Sequence, residues 1–446
     1  MFKKIAALVL AVLMVVSFTA LFASCEKTES GEETVADGPF GSDKELPLAA
    51  SGVELLTAAD VAEGTKVENF KVGCILVGDE SEGYSEAHMI GIRGALEALG
   101  LDEETTIIWK KKVEDNENCY TAAKELVAAG CQLVIANSYG HQDYMKQAAI
   151  EFPDVTFVSM TGDTAAASGL DNFCNAFTAV YESRYIAGVV AGMKLAELVA
   201  DGKITDANKT ADGNIKLGYV GAYNFAEVVS GYTAFYLGIK SIVPNVVMDV
   251  QYTNSWFDKD GEYTAAKVLM DNGCVIIGQH SDSPGAPTAV QEYQNAGKTV
   301  YSVGYNVDVL GIAPTAALTS AANNWEIYYE YALKTALYGG KITTNWHGAY
   351  AQDAVTITAL GESCAEGTEA KVNEVIAALK NGTLHVFDTS KFTVGGKTVT
   401  YAYASDTNGD WTNDANNVIA DGYFHESFVQ SAPAFSLRID GITELN

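Results

Sequence analysis

Residues 120–139 read YTAAKELVAAGCQLVIANSY, and residues 263–282 read YTAAKVLMDNGCVIIGQHSD. The two agree from Tyr-Thr-Ala-Ala-Lys to Gly-Cys, pass into a β-branched run and end on polar residues. Upstream, KVGCILVG at 71–78 parallels KLGYVGAY at 216–223. Downstream, VTFVSM at 155–160 parallels VYSVGY at 300–305. Three matched pairs in one order mark an internal duplication, and self-similarity of this kind is the signature of a repeated architecture.

Each copy reads as strand, helix, strand, helix, strand. KVGCILVG is a continuous apolar run suited to a parallel sheet covered on both faces. Met89, Ile92, Leu96 and Leu99 fall on one side of a helix over Ala87–Leu99, which Gly100 can close. A second helix spans Ala122–Ala129, stopped by Gly130, and residues 131–136 give the second strand. Alternating strands and helices predict an α/β fold of two doubly wound parallel-sheet lobes with a hinge and a ligand cleft between them. Ligands of open α/β sheets bind outside the carboxyl ends of the strands. The loops expected there hold Asp79 to Tyr84 and Asn137 to His141 in the first lobe. In the second they hold Tyr223 to Glu227, Trp256, Gln279 to Asp282, and Tyr305, Asn306 and Asp308. They are rich in aromatics, amides and carboxylates and poor in Lys and Arg.

At 446 residues the chain is long enough for two domains with full cores. Lys3 and Lys4 precede an apolar run from Ile5 to Val16, too short to span a membrane but suited to a secretory signal. Leu21-Phe22-Ala23-Ser24-Cys25 then resembles the lipobox of bacterial lipoproteins, which implies lipidation of Cys25 and an extracytoplasmic, membrane-anchored protein. Phe22 departs from the usual Leu. The expected organisation is a signal peptide over 1–24, a lipidated flexible tether over 25–64, the first lobe over 65–190 and the second over 191–320. Crossover helices and C-terminal strands over 321–446 complete both lobes.

The formal net charge is −29, and loss of Lys3 and Lys4 with the signal takes it to −31. So acidic a chain argues against nucleic acid as a partner. Cys74, Cys119, Cys131, Cys174, Cys274 and Cys364 form no C-x-x-C pair, and no His stands at zinc spacing from them. No metal or cofactor is expected. Phosphate-binding, nucleophile-elbow and zinc-protease motifs are missing. The stretch around Asp410 carries oxygen ligands but not the EF-hand pattern. Residues 391–446 read as hairpin strands around Gly395-Gly396 and Asn408-Gly409.

SWFDKDGEYTAAKVLMDNGCVIIGQHSDSP (255–284), VYSVGYNVD (300–308) and NAFTAVYESRYIAGVVAGMKL (175–195) resemble the basic membrane protein, or PnrA-like, lipoproteins over roughly residues 65–446. The resemblance implies a type I periplasmic-binding-protein fold that delivers purine nucleosides or bases to ABC permease subunits, without catalysis. The Trp-Phe-Asp and Gln-His-Ser-Asp-Ser pattern is similar to a branch associated with adenine-like bases. Tyr84 and Trp256 then occupy the places of aromatics that stack on opposite purine faces. DESEGYSEA at 79–87 departs from the family's Asp-x-Ser-Phe-Asn. Asn306 and Asp308 stand where the family has an aspartate pair. The lysine after the family's Leu-Thr-Ser is replaced by AANNW.

The expected ligand-binding set is Asp79, Tyr84, Tyr139, Glu227, Trp256, Gln279, His280, Asp282, Asn306 and Asp308. A flat ring is best held between aromatic faces with its polar edge met by amides and carboxylates. Trp256 and Tyr84 can equally be structural aromatics, and Asp308 can equally cap the following turn. His280 and Asp282 lack a nucleophile with a positioned partner, so binding is the reading for them. Arg184 is expected in a structural salt bridge at the crossover. The partners implied are a small purine, ABC permease subunits and the membrane through a lipid anchor, with the protein itself monomeric. A sugar or other small polar solute on the same fold, a tethered sensor, and a hydrolase are the alternatives.

Overall fold

In the computed structural model, which describes residues 47–404 and 416–446, the duplicated runs become inner strands of two parallel sheets. The first half runs β1 (Val72–Ile75), α1 (Gly83–Leu99), β2 (Ile107–Lys110), α2 (Glu117–Ala128), β3 (Leu133–Ala136), α3 (Gln142–Glu151), β4 (Thr156–Met160) and β5 (Phe173–Thr178). β1 and β3 are buried at every position, as apolar runs covered on both faces must be. Gly100 ends α1 in the left-handed region at φ 63°, which a side chain would disfavour.

After α4 (Val180–Ala200) the plan recurs as β6 (Ile215–Gly221), α5 (Ala226–Ile242), β7 (Val246–Tyr252), α6 (Lys259–Asp271), β8 (Ile276–Gln279), α7 (Gly285–Asn295), β9 (Tyr301–Tyr305) and β10 (Ala317–Asn323). Strand order is β2-β1-β3-β4-β5 in one sheet and β7-β6-β8-β9-β10 in the other, all parallel. The repeated sequence is a repeated topology.

The remaining chain serves both sheets. α8 (Trp325–Leu337) returns to the first lobe, where the Trp325 ring stacks on His88 of α1 at 4.3 Å. β11 (Asn345–Gly348) extends the first sheet beside β5, and β12 (Val355–Ile357) pairs antiparallel with β10. α9 (Thr368–Lys380) and the two-residue strands β13 (Ile419–Ala420) and β14 (Tyr423–Phe424) follow. β15 (Ile442–Glu444) then pairs parallel with β7.

Several expectations change. β2 was not foreseen as a strand: it is short, carries Lys110, and only Ile107 is buried. The lobe boundary expected at 190 cuts α4, which packs on α5 and β10 of the second lobe. A Cβ at Gly188 would lie 2.2 Å from the Phe235 carbonyl oxygen, and one at Gly238 2.1 Å from that of Tyr185, so both glycines are needed for α4 and α5 to touch. Residues 47–61 are docked rather than a free tether. The Glu54 amide donates to the Asn345 carbonyl at 2.9 Å, and Trp346 Nε1 to the Leu56 carbonyl at 2.6 Å. In the C-terminal region β13–β14 is a hairpin, and Val394 and Lys397 exchange backbone hydrogen bonds at 3.0 and 3.1 Å across Gly395-Gly396 as expected, whereas β15 reaches the second sheet as a parallel edge strand. Cys25, the Asn408-Gly409 turn and Asp410 lie outside the described residues. The six cysteines that are described are free.

Candidate functional site

The carboxyl ends of both sheets open on one cavity of about 430 Å³, lined from the first lobe by Asp79, Ser81, Glu82, Tyr84, Lys112, Ser138, Tyr139 and Thr161. The second lobe supplies Tyr223, Glu227, Ser255, Trp256, Phe257, His280, Asp282 and Tyr305. The lobes meet at its edge, where the Gly83 amide donates to the Asp282 carbonyl at 3.4 Å.

On the first-lobe wall, α1 begins because Glu82 caps it, its carboxylate accepting from the Tyr84 and Ser85 amides at 2.9 and 2.8 Å. That cap sets Tyr84 at the cavity. Its hydroxyl donates to the Asn137 carbonyl at 2.9 Å, and its ring meets His88 edge-on at 4.4 Å. Asp79 pairs with Lys112 at 2.6 Å and accepts from the Ser81 hydroxyl at 2.6 Å. The lysine, followed by the serine bonds, holds the Asp79 carboxyl below its ordinary range. Tyr139 donates to Asp163 at 3.0 Å.

On the second-lobe wall the Trp256 carbonyl accepts from the Asp282 amide at 2.9 Å, so two sequence-distant loops fix each other. The Trp256 ring meets Tyr223 at 5.0 Å, and Tyr223 stacks on Phe225 at 5.3 Å. His280 Nε2 lies 3.1 Å from a Glu227 oxygen. Burial, then the nearby Arg184, keep this imidazole neutral by lowering its pKa, with Glu227 opposing. Asp282 is pushed well above the usual carboxylate range by burial, then by the facing Glu82 and by Glu262. Burial likewise raises Glu82, and raises Glu262 to about 7. Glu262, fully buried, sits behind the cavity and accepts from the Asp258 and Ser283 amides.

Gln279, Asn306 and Asp308 do not line the cavity. The Gln279 amide turns to the Ser281 and Ser283 carbonyls. Asp308 is exposed and accepts from the Leu310 amide at 2.7 Å, capping its own turn. Asn306 stands one shell back, donating to Asp282 at 2.7 Å and accepting from Asn323 Nδ2 at 3.0 Å. Asn323 Oδ1 in turn accepts from the Thr178 hydroxyl.

Arg184 is not in the expected salt bridge. It is buried, donates to the Gln279 carbonyl, and lies 3.6 Å over the Tyr305 ring as a cation–π contact.

Glu82 and Tyr305 fall in loops expected at the cleft but were not in the expected ligand-binding set, and Thr161 and Lys112 were not singled out from the sequence. Thr161 had a signal: it follows VTFVSM as Asn306 follows VYSVGY, and both adopt the left-handed region, at φ 59° and 62°. Lys112 was hidden with β2.

The cavity presents aromatic rings, hydroxyls, an imidazole and carboxylates. Lys112 is spent on Asp79, and Arg184 lies behind Tyr305. Such a lining suits a neutral or proton-donating heteroaromatic ring and disfavours anions. Among the described residues no His, Cys, Asp and Glu group is disposed to hold a metal ion, and no helix is long and apolar enough to cross a membrane.

The sequence profile of the PnrA-like ABC transporter substrate-binding proteins matches residues 80–375. A purine-binding protein of Brucella abortus is 30% identical over 72% of this chain and 83% of its own length. A candidate ABC transporter glucose-binding protein of Haloferax volcanii is 27% identical, covering 69% of each chain. The solved structure of an ABC transporter solute-binding protein of Aeropyrum pernix superposes with a TM-score of 0.59 over 71% of this chain and 93% of its own, at 13% identity. That likeness speaks for the fold.

Proposed function

Because this chain belongs to the PnrA-like family of ABC transporter substrate-binding proteins, a family of binding proteins rather than enzymes, we propose that its solute is a purine base or nucleoside, with an adenine-like base favoured. Closure of the lobes traps the ring between Tyr84 and Trp256, and the bound protein then hands it to the permease subunits.

The observation that carries this reading is one cavity lined by a tyrosine from the first lobe and a tryptophan from the second, whose polar side chains are carboxylates, hydroxyls and an imidazole, with Lys112 paired to Asp79. Aromatic faces grip a flat ring. Glu82 and Asp282 offer acceptors, or a donor when protonated, to its N–H and nitrogen edge. The purine-binding relative supports the same reading.

A sugar is the second reading, favoured by the glucose-binding name of the Haloferax relative. Thermal-shift and calorimetric titration with adenine, guanosine, inosine and glucose separates the two, since a tight ligand raises the melting temperature by mass action. Adenine is expected to give the largest rise. No shift with any purine and a rise with glucose would sink the proposal.

We further propose that the protein is a monomer anchored outside the cytoplasm by lipid on Cys25. Membrane fractionation of Cys25→Ser is expected to release it, and unchanged membrane retention would refute the anchor.

A further inference from the structure

Beside the cleft lies a second chamber of about 540 Å³, and Tyr139, Thr161, Glu227 and Trp256 line both. Its far wall is built by Tyr403 and by residues 430–436, beyond the family-matched span that ends at 375. This segment bridges the lobes. The Ser431 hydroxyl donates to the Asn175 carbonyl of β5 at 3.1 Å, and the same stretch goes on to β15 in the second sheet.

Two observations show that the chamber is more than a packing gap. Gln430 is only 6% exposed, lines the chamber, and has no hydrogen-bond partner among the described residues. Its amide is not sealed in the core but reaches the open space of the chamber, where it is free to bond whatever enters. The opposite wall is also polar, with Asp163 and Gln142 tied to Tyr139 and Thr164. The charge there is acidic: Lys146 is paired with Asp143, while Asp163 and Glu227 have no cation.

We propose that this chamber is a binding compartment continuous with the cleft, and that it takes a hydroxyl- or amine-bearing, non-anionic substituent carried on the planar ring, with Gln430 as its hydrogen-bonding partner. This deepens the purine reading and rests on it. The ring sits between Tyr84 and Trp256. The substituent passes Thr161 and Glu227 into the chamber. A phosphate there meets Asp163 and Glu227 without a free cation and is rejected.

The test is calorimetric titration of the full chain with adenine, adenine N-alkylated with a dihydroxypropyl chain, and adenosine monophosphate. Gln430→Ala is expected to weaken the alkylated adenine about five- to tenfold, the loss of one or two neutral hydrogen bonds. Ala432→Trp, which fills the chamber, is expected to weaken it at least as much. Adenine should bind all three proteins alike, which also reports that the variants are folded. If Ala432→Trp loses adenine as well, Gln430→Ala decides. Equal affinity for alkylated adenine in wild type and Gln430→Ala, or tight binding of adenosine monophosphate, overturns the compartment and leaves the cleft reading intact. Failure of every purine to bind overturns both.

Discussion

The two walls of the cleft are built by equivalent loops of a duplicated fold, yet they differ in how firmly their aromatics are held. Tyr84 is pinned by a hydroxyl bond to the Asn137 carbonyl and by edge contacts with His88 and Trp325. Trp256 leans on Tyr223 and Phe225, and at this lip Phe225 is 46% and Phe257 41% exposed. The first lobe thus offers a preformed platform. The second offers an apolar cover, whose exposed rings a flat ligand seated against them would remove from water, at roughly 25 cal/mol per Å². Duplication supplied the same scaffold twice, and the loops divided the labour.

This contrast breaks most sharply at Tyr84→Ala. Loss of a ring tied into its lobe should lower stability by about 3 kcal/mol, read in urea unfolding, as well as weaken ligand binding. Trp256→Ala should do the reverse, weakening ligand about thirty- to a hundredfold, or about 2–3 kcal/mol, with the unfolding midpoint almost unmoved. Equal destabilisation by the two would erase the distinction between platform and cover.

The acids behind the cover sharpen the contrast through pH. Glu262 has its pKa raised from 4.5 to about 7, first by burial. The folded state therefore binds the extra proton between those values, and stability falls as pH rises through that window, on the order of 2 kcal/mol. Glu262→Gln should flatten this fall, and an unchanged slope would assign it elsewhere. Tyr84→Phe is the smallest test: losing only the hydroxyl bond should cost about 1 kcal/mol of stability while leaving stacking affinity near wild type.

The fold was legible because a repeat doubles every signal. Each β-branched run confirmed its partner, and the strand ends then pointed to Tyr84, Tyr139, Glu227, Trp256, His280 and Asp282, all of which face the cavity. What stayed hidden depends on side-chain direction and on edges. Gln279 closes β8 with its amide curled onto the next turn, and Asn306 points backward from a left-handed backbone. Neither choice is written in strand periodicity. β2 is an edge strand with a polar end, too short for its pattern to stand out. The docking of residues 47–61 relies on backbone hydrogen bonds, which any composition can make.

The side-chain chain from Thr178 through Asn323 and Asn306 to Asp282 has a sense of direction. Every donor in it points toward the carboxylate, which has no hydrogen to give back when ionised. The orientation of each amide is therefore inherited from the acid at its end. Swap that acid for an amide and the direction is no longer dictated, because an amide oxygen can still accept from Asn306 while its nitrogen can donate instead. The string is then free to run either way, as far as the threonine where the chain leaves one lobe for the other.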